Sequence, residues 1–169
     1  MLLIQQETIQ RIMIRKLEKY TGCICVPRNT TKHVPPYPYI TFSVIHTEAR
    51  KGTYSAVTEH RDGKEITILS MPARQKWSFT VQSDKEAEAG EKAFLIHDFF
   101  AEAKRQELED HNIIVAEISA ITPRDTLLTI EYEYRKGLDI TFSMENIIEK
   151  EITETIGTVV MNESLQITE

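Results

Sequence analysis

The stretch that decides the start of the fold is residues 35–42, Pro35-Pro36-Tyr37-Pro38-Tyr39-Ile40-Thr41-Phe42. Proline has a fixed φ and no N–H, and it also restricts the residue before it, so this segment must be extended and cannot be helical. Ile40, Phe42 and Val44 then alternate with hydroxyl residues, which is the pattern of a half-buried strand. The sequence therefore predicts a rigid extended arm that leads directly into a core strand over about residues 39–47.

A second informative stretch lies near the C-terminal end of the chain and is centred on a glycine: Tyr134-Arg135-Lys136-Gly137-Leu138-Asp139-Ile140-Thr141-Phe142. Period-2 alternation on both sides of the glycine predicts two strands, 128–134 and 138–144. A three-residue loop at residues 135–137 would pair Tyr134 with Leu138 and keep each face of the hairpin uniform. Such a loop places Gly137 in the left-handed conformation.

One face of this predicted hairpin is apolar and aromatic, and it carries Tyr132, Tyr134, Ile140 and Phe142. The other face is acidic and hydroxylated. Two interpretations remain open. The faces are either the core and solvent sides within one subunit, or part of the sheet packs against a neighbouring subunit, where apolar burial contributes roughly 25 cal/mol per Å².

These two stretches resemble the tail terminator (neck terminator) proteins of long-tailed bacteriophages, in order and spacing, over roughly residues 5–160. In that family a Pro-Pro-Tyr-Pro-Tyr run opens the first strand after an N-terminal helix, as Pro35, Pro36, Tyr37, Pro38 and Tyr39 would here. The second stretch is similar to the family's aromatic-Arg-x-Gly-apolar-Asp hairpin, with Tyr134, Arg135, Gly137 and Asp139 at the motif positions.

The resemblance implies a structural virion protein at the neck, at the top of the tail. It would cap the tail tube, end its polymerisation and form the joint to the head. Subunits of that family form a ring, usually a hexamer, around the DNA channel. The implied partners are the tail tube protein and a head-completion or connector protein, while DNA passes through without tight binding. The resemblance implies no cofactor and no catalysis.

Length and composition predict one soluble domain. A chain of 169 residues fits a single core, and 41% hydrophobic with 27% charged residues is ordinary for a globular protein. We expect a domain over residues 1–169, with its core at 38–160 and a loose C-terminal tail. No apolar run reaches the ~18–20 residues of a membrane span. The first residues lack signal-peptide features, which predicts synthesis in the host bacterial cytoplasm.

The net charge of −6 disfavours long-range attraction to nucleic acid, and no basic stripe is present in the sequence. Cys23 and Cys25 are the only cysteines. Their spacing places both thiols on one face of a strand. His33 could add a third ligand, but no fourth ligand follows, so we expect reduced structural thiols rather than a metal site.

The remaining patterns predict an α+β fold, with a mostly antiparallel sheet and two helices packed on it. The first helix covers residues 5–20 and stops at Gly22. Ser83 and Glu86 form a capping box that opens a second helix, 84–109, with an apolar stripe at 89, 93, 96, 100 and 103. The sequence also predicts a strand at 23–26 and a hairpin of two strands, 53–60 and 64–71, around Asp62-Gly63. A bend or edge feature at Met71-Pro72 follows, and then a strand through Trp77, Phe79 and Val81. The last predicted elements are a strand at 113–118, a turn at 122–125 and a further strand beyond 147.

Sequence signatures of the common enzyme classes are missing. The chain has no Gly-rich phosphate loop, no G-x-S-x-G and no H-E-x-x-H, and its five histidines lack ligand spacing. A hydrolase with paired carboxylates would leave no motif and stays open as a less favoured alternative. The main alternative is a monomeric acidic protein-binding or inhibitor module. We therefore expect that the protein is not an enzyme.

Overall fold

A computed structural model describes residues 2–30, 33–49, 54–127 and 132–152 of the chain. These residues form one α+β unit built on a mostly antiparallel sheet, as the sequence predicts. The helices are α1 (Leu2–Thr21), α2 (Glu86–Asp98) and α3 (Arg105–Glu109), and a π-helical turn (Phe99–Ala103) follows α2 directly. The strands are β1 (Ile24–Pro27), β2 (Tyr39–Ala49), β3 (Ser55–Arg61), β4 (Lys64–Ser83), β5 (Ile114–Ile118), β6 (Thr122–Pro123), β7 (Thr126–Leu127) and β8 (Tyr132–Glu151).

The strand order across the sheet is β1-β2-β4-β8-β5. Only β1 and β2 run parallel, while β3 extends the sheet beside the first part of β4 and β6 lies beside β8. The two long strands β4 and β8 form the centre, pairing from Ile66 with Glu151 to Ser83 with Tyr134. One face of this centre is covered by the helices, and we refer to it as the inner face; the opposite face is the outer face.

The predicted start of the fold is confirmed. Helix α1 ends before Gly22, which has a φ of +70°, and the Gly22 N–H donates to the Glu18 carbonyl at 2.9 Å. The arm leads into β2 at Tyr39, and Ile40 and Phe42 face the core. The turn between β3 and β4 is also confirmed, because Asp62 and Gly63 both have positive φ, as a tight two-residue hairpin requires.

The predicted hairpin at residues 135–137 is wrong. Strand β8 runs without a turn through Gly137, which pairs with Thr80 of β4 on one side and Thr122 of β6 on the other. Tyr134 lies opposite Ser83, not Leu138. The glycine therefore serves a purpose other than a left-handed turn. Residues 128–131 of the predicted first strand lie outside the described residues.

The predicted turn at 122–125 is wrong for its first half. Thr122 and Pro123 form the short strand β6 against β8. The predicted strand beyond 147 is confirmed up to Glu151, and residues after 152 lie outside the described range. Strand β4 also continues through Pro72. Strands β3 and β2 end opposite Ser70 and Ala73 respectively, so in the described part of the chain Pro72 lies at a local edge, which suits a residue without an N–H.

The predicted helix 84–109 is interrupted. A π-helical turn follows α2, and Lys104, with φ −127° and ψ 10°, separates it from α3. The wider turn directs two consecutive side chains, Phe99 and Phe100, into the core, where both are fully buried. The same change of phase leaves Ala103 exposed, although the predicted apolar stripe included it.

The predicted capping box is also wrong. Helix α2 begins at Glu86, and its N-cap residue, Lys85, makes no side-chain cap. Ser83 is the last residue of β4 and is fully buried. Its hydroxyl accepts the Lys85 N–H at 3.1 Å and donates to the Glu88 carboxylate. Ser83 thus ties the end of a core strand to the first turn of the helix.

The core lies between the inner face of the sheet and the helices, and aromatic rings dominate it. The ring of Phe100 lies 5.3 Å from Phe79 and 5.5 Å from Phe142, and Trp77 stacks on Phe79 at 6.4 Å. All four side chains are fully buried. Phe142, a predicted motif residue, is therefore part of this subunit's core.

The two cysteines are free and buried at the edge of this core, as predicted. Cys23 is 3% exposed and Cys25 is 8% exposed. Burial raises the pKa of both thiols, and nearby Glu18 raises that of Cys25 further. Both groups are therefore neutral thiols at physiological pH, which is unsuited to nucleophilic chemistry.

Candidate functional site

The two stretches that attract attention in the sequence meet on the outer face of the sheet. Tyr37, in the proline arm, donates its hydroxyl hydrogen to the Glu133 carboxylate of β8 at 2.8 Å. The rings of Tyr37 and Tyr39 stack at 5.7 Å, and the peptide bond between Tyr37 and Pro38 is cis. Pro35 is half-buried and Pro36 is exposed. The arm is thus fastened to β8 across nearly a hundred residues of sequence.

Glu133 is the buried charge that holds this junction together. It is only 4% exposed, and Arg135 donates from Nε to its carboxylate at 2.6 Å. A buried carboxylate is tolerated where it is paired and hydrogen-bonded, and Glu133 has both a cation and the Tyr37 hydroxyl. Strand alternation in the sequence puts Glu133 on the acidic face of the predicted hairpin, and this pattern does not reveal that Glu133 is buried. The spacing Glu133-x-Arg135 on one strand face is the only local signal.

Tyr37 acts as a hydrogen-bond donor over the whole physiological range. Burial, followed by the hydrogen bond to Glu133, raises the pKa of Tyr37 to about 12. The phenol therefore remains protonated and keeps its donor hydrogen. Tyr39 has a pKa raised for the same reasons, with burial as the larger cause.

A second polar cluster surrounds Gly137, two positions further along the same face. The Arg124 guanidinium lies over the glycine and donates to Ser78 at 2.7 Å and to Thr80 at 2.9 Å. It also pairs with Asp139 at 2.9 Å. A Cβ atom at Gly137 would lie 2.7 Å from the Arg124 guanidinium, closer than van der Waals contact allows. Gly137 therefore leaves the space that the Arg124 guanidinium occupies.

Asp139 stays ionised in this cluster. Burial acts to raise its pKa, but the hydrogen bonds from Arg124 and Ser78 and the charges of Arg124 and Lys76 outweigh burial and lower the pKa. Its backbone N–H also donates to the Ser119 hydroxyl at 2.8 Å. Asp139 thus links β8 to the segment that follows β5.

Residues 124 and 125 connect the edge of the sheet to β8 by hydrogen bonds. The Arg124 N–H donates to the Arg135 carbonyl at 2.7 Å, and the Asp125 carboxylate accepts the Arg135 N–H at 2.7 Å. The sequence analysis placed both residues in a turn and assigned them no role. The tight packing around Gly137 depends on the hydrogen bonds of Arg124 with Thr80 and Ser78, which lie 44 and 46 residues away in the sequence. Local sequence patterns do not reveal such distant partners.

Between the two clusters lies an open cleft of about 480 Å³. Its lining is polar and includes three guanidinium groups, and consists of Arg28, Tyr39, Thr41, Thr80, Gln82, Arg124 and Arg135. These lining residues include no carboxylate, histidine or cysteine. The cleft thus offers hydrogen-bond donors to an acidic or carbonyl group.

Two aromatic residues of the predicted motifs are exposed at the surface. Tyr37 is 40% exposed and Tyr132 is 48% exposed, and the ring of Tyr132 lies 5.0 Å from that of Tyr134. Of the predicted motif residues, the structure thus brings together those of the arm with Arg135, Gly137 and Asp139 on the outer face. Tyr132 and Tyr134 are separated from them by strand alternation, on the side of β8 that also carries the buried Phe142.

The described residues contain no group of histidine, cysteine, aspartate and glutamate side chains that could hold a metal ion. Among them, too, no helix combines the length and the apolar character that crossing a membrane demands.

Comparison with protein-family models gives one match, which extends over residues 7–169 and therefore includes both motifs. The matching model describes the phage neck terminator protein. The chain belongs to the phage neck terminator family. No curated protein matches the chain significantly.

Membership gives the polar clusters a structural context. Neck terminators are structural phage proteins located in the virion, where they interact with other tail or head proteins. We accordingly interpret the buried Glu133–Arg135 ion pair and the Arg124 cluster as contacts that stabilise the structure. They hold the arm and the edge of the sheet in one rigid surface that includes the exposed Tyr37.

Proposed function

We propose that this protein caps the phage tail tube, ends its polymerisation and forms the joint to the head, as a ring of subunits around the DNA channel. The observation that carries the proposal is the match to the neck terminator family over residues 7–169. The convergence of the arm and β8 on one surface supports it, because Tyr37 is an exposed aromatic side chain there on a rigid, hydrogen-bonded base. Such residues are typical anchors of protein interfaces.

The mechanism is steric. The subunits bind the last ring of the tail tube through a complementary surface, and they present on the opposite side a surface that accepts no further tube subunit. A head-to-tail contact between subunits closes into a ring when its rotation returns to the start, which gives a defined plug rather than a filament. The proposed ring is hexameric, and its partners are the tail tube protein and the head-completion or connector protein.

The proposal is tested by deleting the gene from its phage and supplying variants in trans. Without the protein, electron microscopy should show tails that are overlong or detached from heads, and the wild-type protein should restore joined tails of uniform length. Tyr132→Ser should restore them poorly, because it removes an exposed aromatic anchor while leaving the core intact. Phe94→Ser is the matched control, since Phe94 is 63% exposed on α2, away from the motif surface. Normal, attached tails in the deletion would refute the proposal.

The oligomeric state separates the alternatives. Light scattering on the purified protein should detect rings, or association that rises with concentration. A monomer at every concentration, combined with normal tails in the deletion phage, would instead support the acidic protein-binding module.

A further inference from the structure

The polar cleft on the outer face holds more positive charge than its surroundings neutralise. Its lining includes the guanidinium groups of Arg28, Arg124 and Arg135 and no carboxylate. Two carboxylates contact these groups from outside the lining, because Asp139 pairs with Arg124 at 2.9 Å and Glu133 pairs with Arg135. Among the described residues, the exposed Arg28 side chain has no hydrogen-bond or ion-pair partner. Its positive charge therefore remains available to a ligand.

The paired arginines of the cleft are held in position and keep unused hydrogen-bond donors. A guanidinium has five N–H donors in a fixed plane. Arg135 uses Nε and Nη2 for Glu133, so its partners in the described part of the chain leave Nη1 unused. Ser78 and Thr80 fix the Arg124 guanidinium in the same way. Donors that are already oriented bind a ligand more tightly, because less side-chain entropy is lost on binding.

The ligand chemistry that fits these donors is a carboxylate or another oxyanion. The two oxygens of a carboxylate lie in one plane and accept two parallel N–H groups of an arginine, which gives short, charge-assisted hydrogen bonds. The cleft volume of about 480 Å³ lies within the usual range of ligand sites in proteins. The cleft therefore has room for an acidic side chain and part of the chain that carries it.

The charges around the cleft favour a carboxylate from a protein over the phosphates of DNA. Asp125, Glu133 and Asp139 all contact the arginines of this region, so carboxylates surround the cleft. Duplex DNA carries roughly one charge per 1.7 Å of its axis, so its neighbouring phosphates would meet these carboxylates. The net charge of −6 adds to that repulsion. A single acidic side chain can enter the cleft without bringing further charges near them.

An exposed aromatic ring lies next to the cleft. Tyr39 lines the cleft, and the ring of Tyr37, which is 40% exposed, stacks on it at 5.7 Å. Aromatic side chains and arginines are enriched in protein interfaces, and neck terminators interact with other tail or head proteins. We propose that the cleft is a docking site for an acidic side chain of an adjoining tail or head protein, whose carboxylate binds Arg28 and Arg135. The inference rests on the proposed function for the location of that partner, and it names the chemical group that the partner presents.

Arg28→Gln tests the site in solution without disturbing the fold, because the Arg28 side chain is exposed and has no described partner. Arg74→Gln is the matched control. Arg74 is also exposed on the outer face and has no described partner, and it lies about 20 Å from Thr80 along β4. The probe is a fluorescent Gly-Glu-Gly-Glu-Gly peptide that is blocked at both ends. Fluorescence anisotropy measures its binding to the purified full-length protein at low salt.

The wild-type protein should bind this peptide and should not bind the same peptide with glutamine in place of glutamate. Arg28→Gln should weaken binding about tenfold, which is the usual loss for one charge-assisted hydrogen bond, whereas Arg74→Gln should leave binding unchanged. Absence of binding, equal binding of the two peptides, or equal effects of the two substitutions would overturn the inference. Binding of a duplex oligonucleotide that weakens with Arg28→Gln but not with Arg74→Gln would also overturn it and would assign the cleft to phosphate.

Carbodiimide coupling in purified virions tests whether a partner's carboxylate lies in the cleft there. Arg28→Lys puts a primary amine at the cleft, and the reagent joins this amine to a contacting carboxylate as an amide while it takes up the released water and becomes a urea. Virions with Arg28→Lys should give a cross-link to an aspartate or glutamate of another protein, identified by mass spectrometry, and virions with Arg74→Lys should lack it. Cross-links only to this chain, in the same subunit or in another copy, would overturn the inference. Virions with joined tails of uniform length but no cross-link would reject the docking site and leave the proposed function intact, whereas normal tails in the deletion phage would refute the proposed function and leave the peptide result standing.

Discussion

Gly137 shows how one residue can have a clear sequence signal and a different structural cause. Glycine between a basic pair and an apolar residue suggests a left-handed turn. In the structure the residue lies in the middle of a continuous strand, and the space left by its missing side chain is filled by the Arg124 guanidinium. The requirement at this position is therefore volume rather than backbone conformation.

The Gly137 site predicts that Gly137→Ala changes the free energy of unfolding in opposite directions with and without Arg124. Gly137→Ala should lower the free energy of unfolding by about 1–3 kcal/mol, because the new methyl group displaces Arg124 from Ser78, Thr80 and Asp139. In an Arg124→Ala background the same substitution should be neutral or stabilising by roughly 0.5–1 kcal/mol, since alanine is favoured over glycine within a strand. Urea unfolding of the four proteins measures the cycle.

Gly90→Ala is a useful control, because a Cβ there meets no atom within 4 Å. It should be neutral or stabilising in both backgrounds, as expected for glycine in a helix. Equal losses for Gly137→Ala with and without Arg124 would contradict the volume explanation.

The polar clusters could not be predicted from the sequence for a related reason. Local patterns describe each residue's neighbours along the chain, whereas Glu133 is explained by Tyr37 and Arg124 by Ser78, both distant in sequence. A buried ion pair on a strand has the same alternation as a solvated one. Only the three-dimensional register shows that this part of the outer face is covered.

At the level of elements, alternation predicted faces better than boundaries. Leu138, Ile140 and Phe142 are buried, as the predicted hairpin also required. A three-residue loop keeps the same parity as an uninterrupted strand, so period-2 alternation cannot distinguish the two. The π-helical turn has the opposite effect. It shifts the phase within one helical segment, so a stripe extrapolated through it fails at Ala103.

The start of α2 predicts a difference between two acidic residues in its first turn. Glu88→Ala should lower stability by about 1 kcal/mol, because it leaves the buried Ser83 hydroxyl without its acceptor. Glu86→Ala should cost no more than a few tenths of a kcal/mol, because Glu86 is exposed and its only described partner is Lys136 at 3.3 Å. Both substitutions remove a charge near the helix N-terminus, so Glu86 controls for the helix dipole. Thermal melts compare the variants; a larger loss at Glu86 would restore the capping box.

At the level of the whole molecule, composition and the predicted sheet gave the fold class correctly, and the family resemblance was confirmed over nearly the whole chain. The partners of the long strands lay beyond prediction. The partners of a strand depend on how far it extends, and the predicted second strand of the Asp62-Gly63 hairpin ends at residue 71, whereas β4 continues to Ser83.

The net charge of the whole chain leads to a prediction about DNA. The chain carries 26 acidic and 20 basic side chains, and many of the basic groups are already paired, as Arg124 is with Asp139 and Arg135 with Glu133. Binding to duplex DNA requires clustered cations that release counterions from phosphates. The free protein should therefore cause no shift of duplex DNA at physiological salt, at micromolar protein, in an electrophoretic assay. The proposed ring around the DNA would need this behaviour, because DNA that adheres to the neck cannot slide through it. Repeating the assay at low salt is the control, since any weak contact should be strongest there. Micromolar binding that weakens steeply as salt rises would contradict the prediction and would require a basic surface on the subunit.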